Sequence, residues 1–276
     1  MKLGVSYIVF DGVELLEHSI GQIRKHVDYI NVIYQNVSWF GKSLPEEDLQ
    51  ILQNLVKRKL IDELIQFNSF TPCKDKTLTS IMKSKGYETA KRQFGLTTCL
   101  RRRCTHYLCM DSDEFYEESQ FIKAKQLSIV NDYDVTAARL INYVIPTLHR
   151  GYSSTRVPFI CKISQSSKMG SKFFVKCDPT RGLAGNLNKS YEFSSNVLTM
   201  HHMETVRKNL LLKYESTTRG LMDRKRTGEL VNIINSINET STTFDFKKII
   251  FPKSGHGKLT SCKNIFNIPY QTWKKQ

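Results

Sequence analysis

Three carboxylates occur within four residues in the segment YLCMDSDEFY, which spans residues 107–116. Asp111 and Asp113 are separated by one residue, so in an extended chain both side chains point to one side and Ser112 points away. This spacing suits a divalent cation, which binds hard oxygen ligands and leaves its other positions to water or a substrate diphosphate. A solvated acidic turn or a helix N-cap has the same composition, so the pattern alone leaves both interpretations open.

Two adjacent histidines, His201 and His202, follow the apolar stretch NVLTM. A neutral imidazole is a suitable ligand for Mn²⁺. A strand end with one buried and one exposed ring would give the same pair of residues.

The apolar pattern predicts the elements that carry these residues. Short apolar or β-branched runs predict strands, and apolar residues at helical spacing predict helices between them. The predicted strands cover residues 3–10, 28–34, 61–67 and 105–110, and the predicted helices cover 13–26, 45–58 and 87–103. This alternation indicates an α/β fold with a mostly parallel sheet. Ligands of such sheets bind beyond the carboxyl ends of the strands, where the loops FDG, QNVS and DSDE are expected to meet.

The composition is that of a folded protein with an excess of positive charge. The 276 residues are 40% hydrophobic and 11% aromatic, enough for one large domain or one domain with a smaller appendage. The formal net charge is +15, and residues 204–276 hold fourteen Lys or Arg against six Asp or Glu. This balance favours partners that carry phosphate, or an anionic membrane face.

The cysteines and the first residues indicate the compartment. The chain has seven scattered cysteines and no CxxC pair, which favours reduced thiols and argues against a zinc site. Asp11 and Glu14 interrupt the first apolar run too early for a signal peptide or a membrane span. We therefore expect a soluble, cytoplasmic protein without a transmembrane segment, which reaches a membrane face only as a peripheral protein.

Five separated blocks of the sequence resemble the GT-A glycosyltransferases, in particular their family-2-like bacterial and viral branch. These blocks follow one another within the first 210 residues, and they are FDGVELL (10–16), YQNVSWFG (34–41), ETAKRQFGL (88–96), CTHYLCMDSDEFY (104–116) and MHHMETVRKNL (200–210). A single DxD would be a weak motif, whereas five blocks in the same order are a specific one. The resemblance implies a GT-A domain over residues 1–203 and a basic, mainly helical extension over 204–276 that packs on it.

The resemblance also implies a reaction. Enzymes of this family move a hexosyl or pentosyl group from a nucleotide-sugar, here by analogy a UDP-sugar, to an acceptor hydroxyl. Asp111 and Asp113 would hold Mn²⁺ or Mg²⁺ against the diphosphate, and either His201 or His202 would complete the metal shell. A bound cation stabilises the charge that develops on the leaving diphosphate, acting as a Lewis acid.

The resemblance places donor-binding residues in three blocks. Gln35 and Ser38 follow the second strand, where such enzymes bind base and ribose, and Asp11 follows the first. In the helix over 87–103, Lys91 or Arg92 would face the nucleotide, and only one can do so because adjacent helical residues diverge by about 100°.

Other features of that helix and of the late block are open to two interpretations. Glu88 and Lys91 are three residues apart and can pair on a helix surface. The helix is expected to direct Ala90, Phe94 and Leu100 inward. Arg207 and Lys208 are expected to open the next helix and to reach the diphosphate, unless they lie on a solvated helix face.

The sequence identifies the catalytic residues less well than the other residues of the site. An inverting transferase needs a carboxylate that takes the acceptor's proton. Asp178, in the segment VKCDPTRG, is the candidate base, and it could instead start a turn before Pro179. Glu114 could orient the acidic loop or a sugar hydroxyl. Inversion and retention both stay open.

The basic C-terminal segment predicts an anionic acceptor. A surface glycan or lipid-linked saccharide is the first candidate, and DNA carrying a modified base is the alternative. Outside this class, a nucleotidyltransferase would usually show a Gly-rich basic phosphate loop after the first strand, which FDGVELL does not provide. A non-catalytic nucleic-acid-binding protein would not explain acids at a strand end, where they repel phosphate unless a metal is present.

Overall fold

A computed structural model describes the chain at residues 1–75, 77–185, 188–216, 224–244 and 257–273. This described part contains seven α-helices and a short 3-10 helix (Arg24–His26) that extends the first of them. The helices are α1 (Val13–Ile23), α2 (Glu46–Lys57), α3 (Leu78–Arg101), α4 (Glu118–Val130), α5 (Leu210–Ser216), α6 (Arg224–Ser236) and α7 (Tyr270–Trp273).

The strands of the described part are mostly short, apart from one long antiparallel pair. They are β1 (Leu3–Val9), β2 (Tyr29–Tyr34), β3 (Glu63–Gln66), β4 (His106–Asp111), β5 (Glu114–Phe115), β6 (Val135–Ile145), β7 (Leu148–Lys162), β8 (Lys168–Met169), β9 (Leu183–Ala184), β10 (Ser190–Glu192), β11 (Thr199–His202), β12 (Thr243–Phe244), β13 (Gly257–Lys258) and β14 (Thr260–Ser261).

Ten of these strands form one curled sheet in the order β3-β2-β1-β4-β7-β6-β11-β5, with β10 on β6 and β14 on β7. β1 pairs in parallel with β2 and β4, and β2 with β3. β7 runs antiparallel to β4 and β6, while β10 and β11 run parallel to β6. The α/β fold with a mostly parallel sheet flanked by helices is therefore confirmed. The long β6–β7 pair was not predicted.

The centre of the sheet is also the centre of the core. β1 lies between β2 and β4, and all seven of its residues are buried. This burial on both faces explains why β1 has a continuous apolar run instead of an alternating one. The polar loops that follow β1, β2 and β4 consequently start from fixed positions.

Helix α3 differs from its prediction in its start and in its buried face. It begins at Leu78, nine residues early, where the Thr77 side chain accepts a hydrogen bond from the Ser80 amide as an N-cap. Phe94 and Leu100 are half-buried and pack against the core as predicted, whereas Ala90 is exposed, so the predicted inward face is wrong at Ala90.

A small residue sets the contact of α3 with the sheet. A methyl group at Gly95 would lie 2.7 Å from Ser6 Oγ of β1, so the helix approaches the sheet through a glycine. Apolar periodicity carries no signal for such a contact.

Strands β8 and β9 form a hairpin over residues 168–184, hereafter the β8–β9 hairpin, which lies against α3. The Met169 amide donates to Gln93 Oε1 of α3 at 2.8 Å. A methyl group at Gly182 would lie 1.8 Å from the Ser171 carbonyl oxygen, so the two arms meet where only glycine fits. The hairpin therefore packs against α3.

The described C-terminal residues pack on the sheet instead of forming a separate core. Phe266 contacts the rings of Phe115 and His201, and β14 pairs with β7. In the segment SGHGKLTSCKN, residues 257–258 and 260–261 form short strands. Residues 217–223, 245–256 and 274–276 of the predicted extension lie outside the described residues. Across the described ranges, each helix is too short or too polar to cross a membrane.

Candidate functional site

The loops after β1, β2 and β4 meet at one edge of the sheet, as the parallel pattern predicts. Val9 is level with Tyr34 of β2, and Ile8 is level with Asp111 of β4. Ser112 turns away from its neighbours and donates from Oγ to the Asp11 carbonyl oxygen at 2.6 Å, which ties the first and third loops together. The polar side chains of the three loops therefore share one site.

Asp111 is held by two guanidinium groups. Arg92 of α3 contacts its two carboxylate oxygens at 3.0 and 3.2 Å, and Arg181 of the β8–β9 hairpin makes a shorter ion pair with Oδ2. Burial alone would raise the pKa of Asp111, but the charges of Arg181 and Arg92 outweigh it and lower that pKa to about 2. Asp111 is therefore a carboxylate at neutral pH.

Glu114 supports the acidic loop from inside. Its carboxylate accepts a hydrogen bond from the Asp111 amide at 3.0 Å and is paired with Arg181 at 2.5 Å. Burial raises the pKa of Glu114, and the Arg181 charge opposes that rise. Arg181 thus bridges two carboxylates, Asp111 and Glu114.

Asp113 lies beyond the end of β4, where the chain turns, and it faces a different set of cations from Asp111. Its Oδ2 is 2.5 Å from Arg207 Nη2, 3.0 Å from Lys213 Nζ and 3.2 Å from His202 Nε2. Burial opposes ionisation, but Lys213, Arg207 and His202 keep the pKa of Asp113 well below its ordinary value. Only 7% of this side chain is exposed.

The structure separates the two histidines. His202 faces Asp113, whereas His201 is buried with Nδ1 2.9 Å from the Tyr143 hydroxyl and with its ring against Phe266. His202 Nδ1 lies 2.9 Å from Asn142 Oδ1, which can only accept, so the Nδ1 hydrogen is donated there. The other ring nitrogen, Nε2, is hydrogen-bonded to Asp113 Oδ2 at 3.2 Å.

Lys91 is buried beside the second loop. It is 1% exposed, and Nζ donates to the Val9 carbonyl oxygen at 2.7 Å and to Gln35 Oε1 at 2.9 Å. Its ammonium group lies 5.7 Å from the centre of the Trp39 ring. Burial, followed by the charge of Arg92, lowers the pKa of Lys91 to about 7. Ser38 Oγ accepts from the Phe40 and Lys42 amides, which closes the turn of this loop.

Lys91 and Arg92 are both buried, each 1% exposed, so the expectation that only one faces inward is wrong. The sheet covers one side of α3 and the β8–β9 hairpin covers another, where the Thr180 hydroxyl contacts Arg92 Nε at 3.2 Å. Glu88 pairs with Arg92 at 2.6 Å, and the predicted surface pair of Glu88 with Lys91 does not form. Neighbouring helical residues can thus both be buried when a helix is covered on two sides.

Arg207 is buried above the first loop. A methyl group at Gly12, which has φ 66°, would lie 2.7 Å from the Arg207 guanidinium carbon. Nη1 donates to the carbonyl oxygens of Met203 and Val206, and Nε lies 3.8 Å from Asp11 Oδ2. Within the described residues Nε has no hydrogen-bond acceptor.

The predicted helix start at Arg207 and Lys208 is wrong, because α5 begins at Leu210. The amide of exposed Lys208 donates to Glu14 Oε1 at 2.7 Å, which ties this loop to the start of α1. A loop there lets the preceding Arg207 side chain turn inward.

Asp178 starts a turn in the β8–β9 hairpin. Its Oδ1 accepts from the Thr180 amide at 2.8 Å and from the Thr180 hydroxyl at 2.7 Å. Burial would raise the pKa of Asp178, but Arg92 and Arg181 outweigh it and lower that pKa.

Two site residues were missed in the sequence. Arg181 sits in the segment DPTRG, three residues after Asp178, and Lys213 sits in a predicted helix. Both act over long sequence separations, and nothing in their local pattern marks them.

The chemistry of the side chains around Asp113 fits a divalent cation. Asp111 and Asp113 supply carboxylate oxygens, and His202 supplies an imidazole nitrogen 3.2 Å from Asp113 Oδ2, which are ligand types that Mn²⁺ accepts. In the described ranges, however, no three His, Cys, Asp or Glu side chains converge as a ready-made metal site. Both aspartates are instead paired with the chain's own cations.

No protein-family model matches this chain, and no curated protein matches it.

Several solved structures are similar to the chain at low identity. S. aureus TarS 1-349 in complex with UDP is 15% identical over 52% of this chain and 36% of that chain, with a TM-score of 0.36. Another S. aureus TarS 1-349 structure is 9% identical over 84% of this chain and 69% of that chain, with a TM-score of 0.47. Mannose-1-phosphate geranyltransferase from Thermus thermophilus is 9% identical over 97% and 77%, with a TM-score of 0.33. The chain spans about a third of the first of these structures, and likenesses this distant carry no inference about its site.

Proposed function

We propose that this chain is a metal-dependent glycosyltransferase that moves a hexosyl or pentosyl group from a nucleotide-sugar, most simply a UDP-sugar, to an acceptor hydroxyl. The observation that carries the proposal is the meeting of Asp111, Asp113, His202 and Arg207 at the carboxyl edge of the sheet. These residues come from two of the blocks that resemble GT-A glycosyltransferases, CTHYLCMDSDEFY and MHHMETVRKNL. Acids, an imidazole and buried cations at one strand edge are the groups that a metal and a diphosphate require.

In this proposal Asp111, Asp113 and His202 hold Mn²⁺ or Mg²⁺, with His201 left in its structural place against Tyr143. The bound cation would supply Lewis-acid stabilisation of the leaving diphosphate. Arg207 contributes a fixed positive charge and a buried Nε donor without an acceptor among the described residues. An anionic oxygen of the nucleotide-sugar would accept a hydrogen bond from this Nε–H group.

The nucleotide is assigned to the loops after β1 and β2. Gln35 and Lys91 are hydrogen-bonded to each other and lie beside Trp39, so they form a polar pair against an aromatic face. Asp11 and Ser38 belong to the same edge. We assign base and ribose contacts to these four polar residues, and Arg92 positions Asp111 from the opposite side.

The reaction itself needs a base and a rigid acidic loop. Asp178 is our proposed base for the acceptor hydroxyl, since it lies on the β8–β9 hairpin three residues from Arg181, which reaches Asp111. Its lowered pKa keeps it ionised, so it can accept a proton, although a carboxylate of low pKa is a weak base. Glu114 is a positioning residue, since its carboxylate holds the Asp111 amide and Arg181.

The acceptor is proposed to be anionic, such as a surface glycan or a lipid-linked saccharide. The formal net charge of +15 supports this choice. The β8–β9 hairpin, which carries Asp178, also carries three exposed lysines, namely Lys168, Lys172 and Lys176. A charged acceptor approaching the hairpin would meet positive charge first.

Calorimetric titration with UDP, with and without Mn²⁺, tests the donor site. The wild-type protein should bind UDP in a Mn²⁺-dependent way, and Asp113→Asn should lose that dependence. Asp134→Asn is the matched control, because Asp134 is equally buried and pairs with Lys162 at 3.0 Å outside the site. If UDP and GDP fail to bind wild-type protein under every metal condition, the proposed function is wrong.

A further inference from the structure

Both aspartates of the site are already paired with positively charged side chains of the chain itself. Asp113 Oδ2 contacts Arg207, Lys213 and His202, and Asp111 contacts Arg92 and Arg181. A divalent cation bound to Asp113 would sit about 2.1 Å from the carboxylate oxygen. It would then lie next to the two cations that occupy the same oxygen.

Such crowding opposes the binding of a metal ion alone. Two like charges about 4 Å apart near a protein surface repel strongly, because the local dielectric is far below that of water. A cation can enter only if a counter-ion leaves, or if new negative charge arrives with it. In an open metal site the carboxylates are free to bind the ion, whereas here both aspartates already contact cationic side chains.

The cations of the site differ in how firmly they are anchored. Arg207 is packed over Gly12 and donates to two backbone carbonyl oxygens, so it has little freedom to leave. Lys213 lies on the seven-residue helix α5, is 13% exposed, and is held by Asp113 and the Glu204 carbonyl oxygen. Lys213 thus has one backbone carbonyl contact, whereas Arg207 has two.

Arg92 and Arg181 differ in the same way at Asp111. Arg92 is fixed in the middle of α3 by Glu88 and Thr180. Arg181 belongs to the β8–β9 hairpin, and apart from its bonds to Asp111 and Glu114 it depends on the position of that hairpin. Lys213 and Arg181 are therefore anchored through fewer contacts than Arg207 and Arg92.

We propose that Lys213 and Arg181 are exchangeable counter-ions of Asp113 and Asp111, so that a divalent cation binds this site only together with a diphosphate. This inference rests on the proposed donor site. The diphosphate brings the negative charge that the released ammonium and guanidinium groups then bind, and every charge stays paired throughout the exchange. Metal and diphosphate are consequently strongly cooperative ligands.

The test measures Mn²⁺ binding directly, by the loss of the free Mn²⁺ signal in electron paramagnetic resonance. Wild-type protein should leave the signal unchanged until UDP is added. Lys213→Gln should bind Mn²⁺ without UDP, at least about tenfold more tightly than wild type, because one neighbouring charge is gone. Lys213→Arg keeps the charge and should behave like wild type, which separates the charge from a general loss of folding.

Lys162→Gln is the matched control, since Lys162 also pairs with a buried aspartate at 3.0 Å but lies away from the site. It should bind Mn²⁺ no better than wild type. The inference is overturned if wild type binds Mn²⁺ without UDP as tightly as Lys213→Gln does, even when UDP binds normally. If UDP binds to no variant while Lys213→Gln alone gains Mn²⁺, Lys213 excludes the metal as proposed, but the coupling to a diphosphate and the proposed donor site are wrong.

Discussion

Arg207 donates from Nη2 to Oδ2 of Asp113 at 2.5 Å, and both side chains are almost completely buried. The two residues are 94 positions apart, so the pair joins the end of β4 to the loop before α5. A buried ion pair of this kind adds little net stability when complete, yet the loss of one partner leaves the other charge unpaired. This asymmetry makes the pair sensitive to substitution.

Asp113→Asn should therefore destabilise the protein even without ligand. The substitution keeps the shape of the side chain but leaves Arg207 without its carboxylate. We expect the free energy of unfolding at neutral pH to fall by about 3 kcal/mol, measured by chemical denaturation.

The control for this prediction is Asp132→Asn at an exposed aspartate that pairs with Lys162 at 2.9 Å. Exposed pairs contribute little, so this variant should stay close to wild type. Equal losses in the two variants would show that burial of the Asp113–Arg207 pair has no energetic consequence.

The two histidines should have separable effects. His202→Ala should weaken the Mn²⁺-dependent part of UDP binding by about 10- to 100-fold with little change in stability. His201→Ala should leave UDP affinity within about twofold but lower the free energy of unfolding by about 1–3 kcal/mol, because its ring packs on Phe266 and its Nδ1 faces Tyr143. Calorimetry and denaturation of both variants check this pattern, and the reverse assignment would place His201 at the metal.

The histidine pair also shows how much of the site can be predicted from the local sequence. Adjacent residues of a strand point to opposite faces, so one of His201 and His202 had to face away from the other. Which ring meets Asp113 depends on the pairing of β11 with β5 and β6, a long-range register that local pattern does not encode. The strands β1, β2 and β4 were predictable because each is a short apolar run followed by a polar loop.

Other parts of the site could not be predicted from the local sequence. Arg181 reaches Glu114 across 67 positions, and Lys213 reaches Asp113 across 100. The burial of Lys91 beside Arg92 also depends on a hairpin from a distant segment. Apolar periodicity predicts which face of a helix is buried only when that face is apolar, and α3 approaches the sheet through Gly95.

Lys91 should make stability depend on pH above neutrality. Burial and the Arg92 charge lower its pKa from 10.5 to about 7 in the folded protein. Between these values the unfolded chain binds more protons at this lysine, so stability rises with pH across this window. The cost of burying the charged Lys91 is largest below pH 7 and disappears above the unfolded pKa of 10.5. The free energy of unfolding of wild type should therefore rise relative to Lys91→Met, by at most about 1.4 kcal/mol per pH unit.

Denaturation curves at pH 7, 8 and 9 for wild type and Lys91→Met measure this difference directly. Lys123→Met, at an exposed lysine of α4, provides the comparison, and its difference from wild type should not change with pH. A difference between wild type and Lys91→Met that stays flat or falls across this range would mean that Lys91 is not a buried, destabilised cation.

Gly182→Ala tests whether the β8–β9 hairpin positions the site. The new methyl group would lie 1.8 Å from the Ser171 carbonyl oxygen, so the two arms must separate next to Arg181. We expect a loss of about 1–3 kcal/mol in the free energy of unfolding and weaker UDP binding. Gly185→Ala, whose methyl group would meet only Ser167 Oγ at 4.0 Å, should change neither quantity. Unchanged UDP affinity in Gly182→Ala, despite the lost stability, would show that Arg181 reaches Asp111 independently of the hairpin's closure.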